Sequence, residues 1–203
     1  MHALALVSPA NVMTDSREDD RPEDPDLPLV ERFRSGERRA FDEIVRRHQT
    51  ALWRMARRYV KNDADASDVV QQTFVRAFRG LAKFRHAATV RTWLYRISIN
   101  LALNHVRDRA REEPAAPDEL AAHSGSTLAT GANRIIEGED AERLREAIEA
   151  LPPKQRLVLE LRVFDELPFK EVADLADCTE NAAKVNFHYA VKRLREILSG
   201  GAA

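Results

Sequence analysis

Across residues 63–106 apolar side chains return every three or four positions, in two successive runs. Val70, Phe74, Ala77, Phe78 and Leu81 give one helix an apolar face. Val90, Trp93, Leu94, Ile97 and Leu101 do the same for a second, with Thr89 placed to cap its start. The loop between them carries Lys83, Phe84, Arg85 and His86, with Arg91 close behind. Upstream, Phe41, Ile44, Val45, Leu52, Met55, Ala56 and Tyr59 keep the helical period over residues 37–61. Arg38, Arg39, Arg46, Arg47, Arg54, Arg57 and Arg58 fill the other faces of that long helix. A short helix over residues 27–35, closed by Gly36, precedes it. The pattern therefore predicts a four-helix domain over residues 27–111.

The character of the chain changes over residues 112–138, where Glu, Pro, Ala, Ser, Gly and Thr dominate. That is too long for an ordinary loop in a compact domain and reads as a flexible acidic linker. A second helical domain follows over residues 139–199. Its first helix is stopped by Leu151-Pro152-Pro153, and Pro153 suits the first turn of the next, where its missing N–H costs nothing. Leu157, Val158, Leu161 and Phe164 mark that helix; Pro168 opens a short one through Val172 and Leu175. Asp177-Cys178-Thr179 makes a tight turn, with Thr179 as N-cap. The last helix, from about residue 181, turns Phe187, Ala190, Leu194, Ile197 and Leu198 inward. Short helix, tight turn and longer helix form a helix-turn-helix. Few glycines and little strand-like alternation complete the expectation of an all-α chain: two small helical domains on a flexible linker.

Charge sharpens this picture. The net charge of −1 conceals a segregation. Residues 1–30 carry two Arg against seven acids, and residues 31–111 nineteen Lys and Arg against eight acids. Residues 112–138 sum to −4 and residues 139–203 to −3. A basic middle between acidic segments points to a polyanion as partner. Residues 1–26 are polar, acidic and Pro-containing, and read as a disordered extension. Cys178 stands alone, so no disulfide can form within the chain; with scattered His it gives no metal-ligand spacing. The apolar piece at residues 3–7 is too short for a signal-peptide core and lacks a preceding basic residue. No run approaches membrane-spanning length. The expectation is a soluble, cytoplasmic protein without cofactor or membrane insertion. No nucleophile–base set or phosphate-cradling Gly loop appears, which weighs against an enzyme.

Aromatics interleaved with Arg, Lys and Asn around residues 83–104 suit a surface that holds single-stranded bases. Trp93 lies on the apolar stripe, which favours core packing over stacking on DNA. Tyr95 and Arg96 lie off it and are expected at the surface. On the last helix Lys184, Asn186, His188, Lys192, Arg193 and Arg195 are expected outward, where base and phosphate contact needs them. The residues leave open a helix-turn-helix regulator that binds duplex DNA unaided and a helical interaction protein with no nucleic-acid role.

The stretches AFDEIVRRH, DASDVVQQTFVRAF, RTWLYRISINLALNHVRD and LPPKQRLVLELRVFDELPFKEVADLADCTENAAKVNFHYAVKRLRE resemble, in order, the blocks of extracytoplasmic-function sigma factors of bacterial RNA polymerase. The likeness covers about residues 28–110 and 139–198. It implies a non-catalytic specificity subunit whose partners are core RNA polymerase (clamp coiled coil and flap), promoter DNA and an anti-sigma factor. It implies core-polymerase contacts at Asp65, Asp68, Gln71, Gln72 and Phe74, with Arg76 and Arg79 a turn or two on. It implies −10 recognition and melting by Lys83, Phe84, Arg85, Arg91, Tyr95, Arg96, Asn100 and Asn104, and −35 recognition by Lys184, Asn186, His188, Lys192 and Arg193. The family commonly has Gly-Thr-Val-Lys-Ser-Arg where this chain has Asn181-Ala182-Ala183-Lys184-Val185-Asn186. An Arg suited to guanine is thus missing, Asn suits adenine, and a shifted −35 preference is expected. Asn181 in place of Gly is expected to tolerate a left-handed turn. By the same likeness the linker threads the RNA exit channel, its acids mimicking nucleic acid; as a plain tether it reads equally well. Cys178, in the helix-turn-helix turn, is expected as a buried small hydrophobe.

Overall fold

The computed structural model describes residues 24–60, 62–112 and 139–200. The expectations for residues 1–23 and for the linker at residues 113–138 lie outside them. Among the described residues there is no strand; the elements are α1 (Leu27–Arg34), α2 (Arg39–Arg57), α3 (Asp63–Gly80), a 3-10 turn (Leu81–Lys83), α4 (Val90–Glu112), α5 (Glu139–Glu149), α6 (Pro153–Val163), α7 (Phe169–Leu175) and α8 (Glu180–Gly200).

Helix boundaries follow from local chemistry. The Asn62 side chain accepts from the Asp65 amide at 2.8 Å and starts α3. Thr89 Oγ1 accepts from the Thr92 amide at 3.1 Å and starts α4; Thr179 Oγ1 accepts from the Ala182 amide at 3.2 Å and starts α8. Gly36, at φ 102°, takes the left-handed conformation that ends α1. The long basic helix is shorter than its periodicity implied, because residues 58–60 leave the helix as a turn.

Helices α1 to α4 enclose a core in which Ile44, Leu52, Met55, Leu81, Val90 and Leu94 are fully buried. Phe33, Phe41, Phe74 and Phe78 form a ring cluster, with Phe41–Phe74 centroids 6.2 Å apart and Phe41–Phe78 5.1 Å, both edge to face. The acids at residues 24 and 26, assigned from sequence to a disordered head, are fixed parts of this unit. Asp24 Oδ2 accepts from the Val90 amide at 2.7 Å, placing a carboxylate on the positive end of α4. Asp26 is buried, with Arg47 at 2.9 Å and His48 at 2.6 Å. Burial pushes the Asp26 carboxyl up, but His48 and then Arg47 overcome it and hold the group below its ordinary value.

In the C-terminal unit α5, α6 and α7 all pack on α8. Between α7 and α8, Asp177 has φ 49° and the Cys178 amide donates to Ala173 O at 3.0 Å, which gives the tight turn of a helix-turn-helix. The left-handed residue is therefore Asp177, and Asn181 lies inside α8. Cys178 is half-buried against the core. Ile197 and Leu198, expected inward, are exposed, because residues 195–199 run on past the helices that α8 packs against. The two units touch: α4 packs on α7, and one continuous set of buried side chains runs through both.

Candidate nucleic-acid interface

The loop after the 3-10 turn is pinned rather than loose. Arg34 of α1 donates to the Phe84 carbonyl and to His86 Nε2, the latter at 3.0 Å. His86 sits at φ 56°, a conformation that a non-glycine residue adopts at a cost and that its surroundings must enforce. Phe84 is buried, its ring 5.2 Å from Trp93 and 5.0 Å from His86, so it serves as a peg under the loop. Lys83 and Arg85 remain exposed beside it. Arg34 is a site residue that sequence reasoning missed; only the fold brings it to a loop fifty residues downstream.

On α4, Arg96, Asn100 and Asn104 follow one another at intervals of four, and all three are exposed on one polar ridge. Asn104 accepts a hydrogen bond from Arg107. The first two turns differ. Tyr95, expected at the surface, is 0% exposed, and Arg91 is half-covered. What covers them is the turn after α6. Tyr95 Oη donates to Asp165 Oδ1 at 3.1 Å, Arg91 donates to the Asp165 carbonyl, and the Arg91 guanidinium lies 5.6 Å from the Tyr95 ring centre. Thr92 donates to Glu171, and Arg96 donates to the Asp174 carbonyl at 3.0 Å. Beneath these, Arg58 of the first unit bonds to Asp165 and approaches Glu160 at 3.8 Å, with its guanidinium 5.6 Å from the Phe164 ring.

The electrostatics of this cluster are those of dry charges. Burial pushes the Glu160 carboxyl up to about 7; Arg58 and Arg156 pull it back, and Asp165 pushes with burial. Asp165 is raised as well, chiefly by burial, against the pull of Arg58. Burial opposes the charge on Arg58, yet Asp165 and Glu160 hold its pKa above the ordinary value. Since Glu160 holds its proton more tightly folded than unfolded, its contribution is fully present at low pH and is lost as pH rises through about 7. Lowering the pH from about 8 to about 5.5 should therefore stabilise the wild type relative to Glu160→Gln, which has nothing to titrate there. Melting temperatures of the pair across that window check this; a constant difference refutes it.

On α3, Asp68, Gln71 and Gln72 are exposed and available to a partner. Phe74 is not, being 9% exposed in the phenylalanine cluster; Phe78 and Val75 present apolar surface instead. Asp65 is engaged within the chain, 2.7 Å from Arg109 and 3.2 Å from His105 of α4. Burial raises its pKa, but His105 and then Arg109 bring it below the ordinary value. On α8, Lys184, His188, Lys192 and Arg193 are exposed. Lys184 pairs with Glu180 at 2.6 Å, and Lys192 approaches Glu196 at 3.9 Å. Asn186 is half-buried, its Nδ2 donating to Ala182 O at 2.8 Å, while Val185 and Tyr189 stand out from the helix. Among the described residues no three His, Cys, Asp or Glu side chains gather to hold a metal, and no helix is long and apolar enough to cross a membrane.

A basic four-helix unit joined to a helix-turn-helix unit defines a two-domain, all-helical nucleic-acid-binding protein. The models for sigma-70 region 2 and sigma-70 region 4 match residues 44–112 and 141–194. The RNA polymerase sigma-H factor of Pseudomonas aeruginosa is 36% identical over 161 residues, spanning 75% of this chain and 83% of the relative. The ECF RNA polymerase sigma-E factor of Escherichia coli K12 is 35% identical over the same length and shares. Among solved structures, CnrH in complex with the cytosolic domain of CnrY superposes with a TM-score of 0.63 at 27% identity, over 86% of this chain and 97% of that one. RpoE of Bartonella quintana in complex with the anti-sigma factor NepR shares the fold at 21% identity, with a TM-score of 0.61 over 78% of this chain and 96% of that one. The chain belongs to the extracytoplasmic-function sigma factors of the sigma-70 family. It is an alternative, non-enzymatic initiation factor of RNA polymerase, with core polymerase and promoter DNA as its partners.

Proposed function

We propose that residues 27–111 engage core polymerase and melt the −10 element, and that residues 139–199 read the −35 element. The observation that carries this is the exposed ridge of Arg96, Asn100 and Asn104, with Lys83 and Arg85 exposed on the loop that leads into the same helix, in the most basic part of the chain. Asn offers a donor and an acceptor to a base edge, and the cations hold phosphates. Asp68, Gln71 and Gln72 form the polymerase-facing side of α3; Phe74 supports it from within. Lys184, His188, Lys192 and Arg193 meet the −35 duplex, with Asn186 oriented from behind by its bond to Ala182. The chain acts in the cytoplasm beside polymerase. By likeness to the NepR-bound neighbour, an anti-sigma factor holds it in check.

Run-off transcription with core polymerase tests this. Asn100→Ala with Asn104→Ala is expected to cut initiation about 10- to 100-fold, since one base contact contributes about 1–3 kcal/mol. Unchanged initiation on duplex promoters defeats the assignment. Selection from a randomised −35 library should depart from the usual family consensus, and recovery of that consensus removes the expected shift in −35 preference.

A further inference from the structure

The contact between the two units matches donors on one side with acceptors on the other. The N-terminal unit offers Arg58, Arg91, Thr92, Tyr95 and Arg96. The C-terminal unit answers with the carboxylates of Asp165 and Glu171 and the carbonyls of Asp165 and Asp174. A row of oxygens facing arginines is also what a nucleic-acid strand presents to them. Arg91, Tyr95 and Arg96 belong to the −10 set, and Tyr95 is fully covered. The C-terminal unit, net negative, thus lies against the most basic unit of the chain.

We infer that the free sigma factor occludes its own promoter-melting surface, its C-terminal unit taking on α4 the place that single-stranded DNA takes in function. The inference rests on the −10 reading of α4. The mask is partial. It covers Tyr95, half-covers Arg91 and engages the still exposed Arg96 through the Asp174 carbonyl, while Lys83, Arg85, Asn100 and Asn104 stay open. Self-docking and strand binding compete for the same donors, so the apparent affinity for DNA falls by the fraction of molecules that are open. The inner cluster of Arg58, Asp165 and Glu160 sets that fraction, and the outer contacts of Thr92–Glu171 and Arg96–Asp174 align the two faces.

The test uses the full chain without polymerase. In a Cys178→Ser background, spin labels at Arg46→Cys and Glu196→Cys report the separation of the units, and fluorescence anisotropy reports binding of a single-stranded −10 oligonucleotide. The unmodified interface should give one narrow distance. Asp165→Ala and Arg58→Met should broaden and lengthen it and tighten oligonucleotide binding about tenfold. Glu171→Ala removes an outer contact and leaves the buried cluster complete, so it should give a smaller gain in the same direction even where a cluster variant unfolds. Adding Arg96→Ala to an open variant should abolish the gain. A broad distance distribution with the native interface overturns the inference. So do open variants that bind no better while Arg96→Ala weakens every form equally; in that case the −10 reading stands. If neither Arg96→Ala nor Asn100→Ala alters binding by any form, the −10 reading falls and the inference falls with it.

Discussion

Arg58→Met is expected to part the two units before either of them unfolds. The Arg58 side chain is 7% exposed, and its charged partners Asp165 and Glu160 come from the other unit. Methionine fills much of the volume but leaves two carboxylates buried together with no cation between them. Removing one member of a buried ion pair costs about 3–5 kcal/mol, because the remaining charge is left uncompensated. Undocking relieves that cost by returning Asp165 and Glu160 to water, so the chain takes that route. A single thermal transition should split into two, with the radius of gyration increased before the first. Asp165→Leu and Glu160→Leu added to Arg58→Met should recover much of the loss, since a complete buried cluster can be replaced by apolar groups at little cost. A single unshifted transition in Arg58→Met would mean that the pairing contributes nothing to docking.

Leu52→Ala acts on the other kind of contact. Leu52 is 0% exposed in the middle of α2, which packs on both α3 and α4. Truncation removes three heavy atoms from a site walled by helices on several sides, so the cavity collapses poorly. The expected loss is about 3–4 kcal/mol, a large share of the stability of a small domain. The N-terminal unit should melt more than 10 °C lower. Exposed Val185→Ala on α8 should leave the melting point within about 4 °C, since surface changes are usually within ±0.5 kcal/mol. Calorimetry separates the two cases, and a small shift for Leu52→Ala would mean that the core repacks around the void.

The helices were legible because each rests on a signal a few residues long: a stripe of period 3.6, a Thr or Asn at a start, a Gly or Pro at an end. Thr89, Thr179 and Pro153 do what their positions implied. Asn100 and Asn104 were picked out by likeness to the family, and their spacing of four places them on one face of α4. Tyr95 was misread because periodicity reports one buried face per helix, and its cover comes from residues some seventy positions away. Arg58, placed with the arginines on the outer faces of the long helix, is buried by the other unit for the same reason. Asp24 and Asp26 were lost in an acidic composition, although one crowns α4 and the other is clasped by Arg47 and His48. Phe74 was given two duties, core stripe and partner contact; the ring cluster leaves only the first.

Dissolved ions act unequally on the two rivals for α4. The Arg58–Asp165 contact is dry, with side chains 7% and 4% exposed, and electrolyte scarcely reaches it. On the proposed −10 reading, strand capture by Arg85 and Arg96 expels condensed counterions and weakens as electrolyte rises. On the inference of self-occlusion, rising ionic strength therefore tilts the molecule toward folding onto itself and dilution toward the promoter strand.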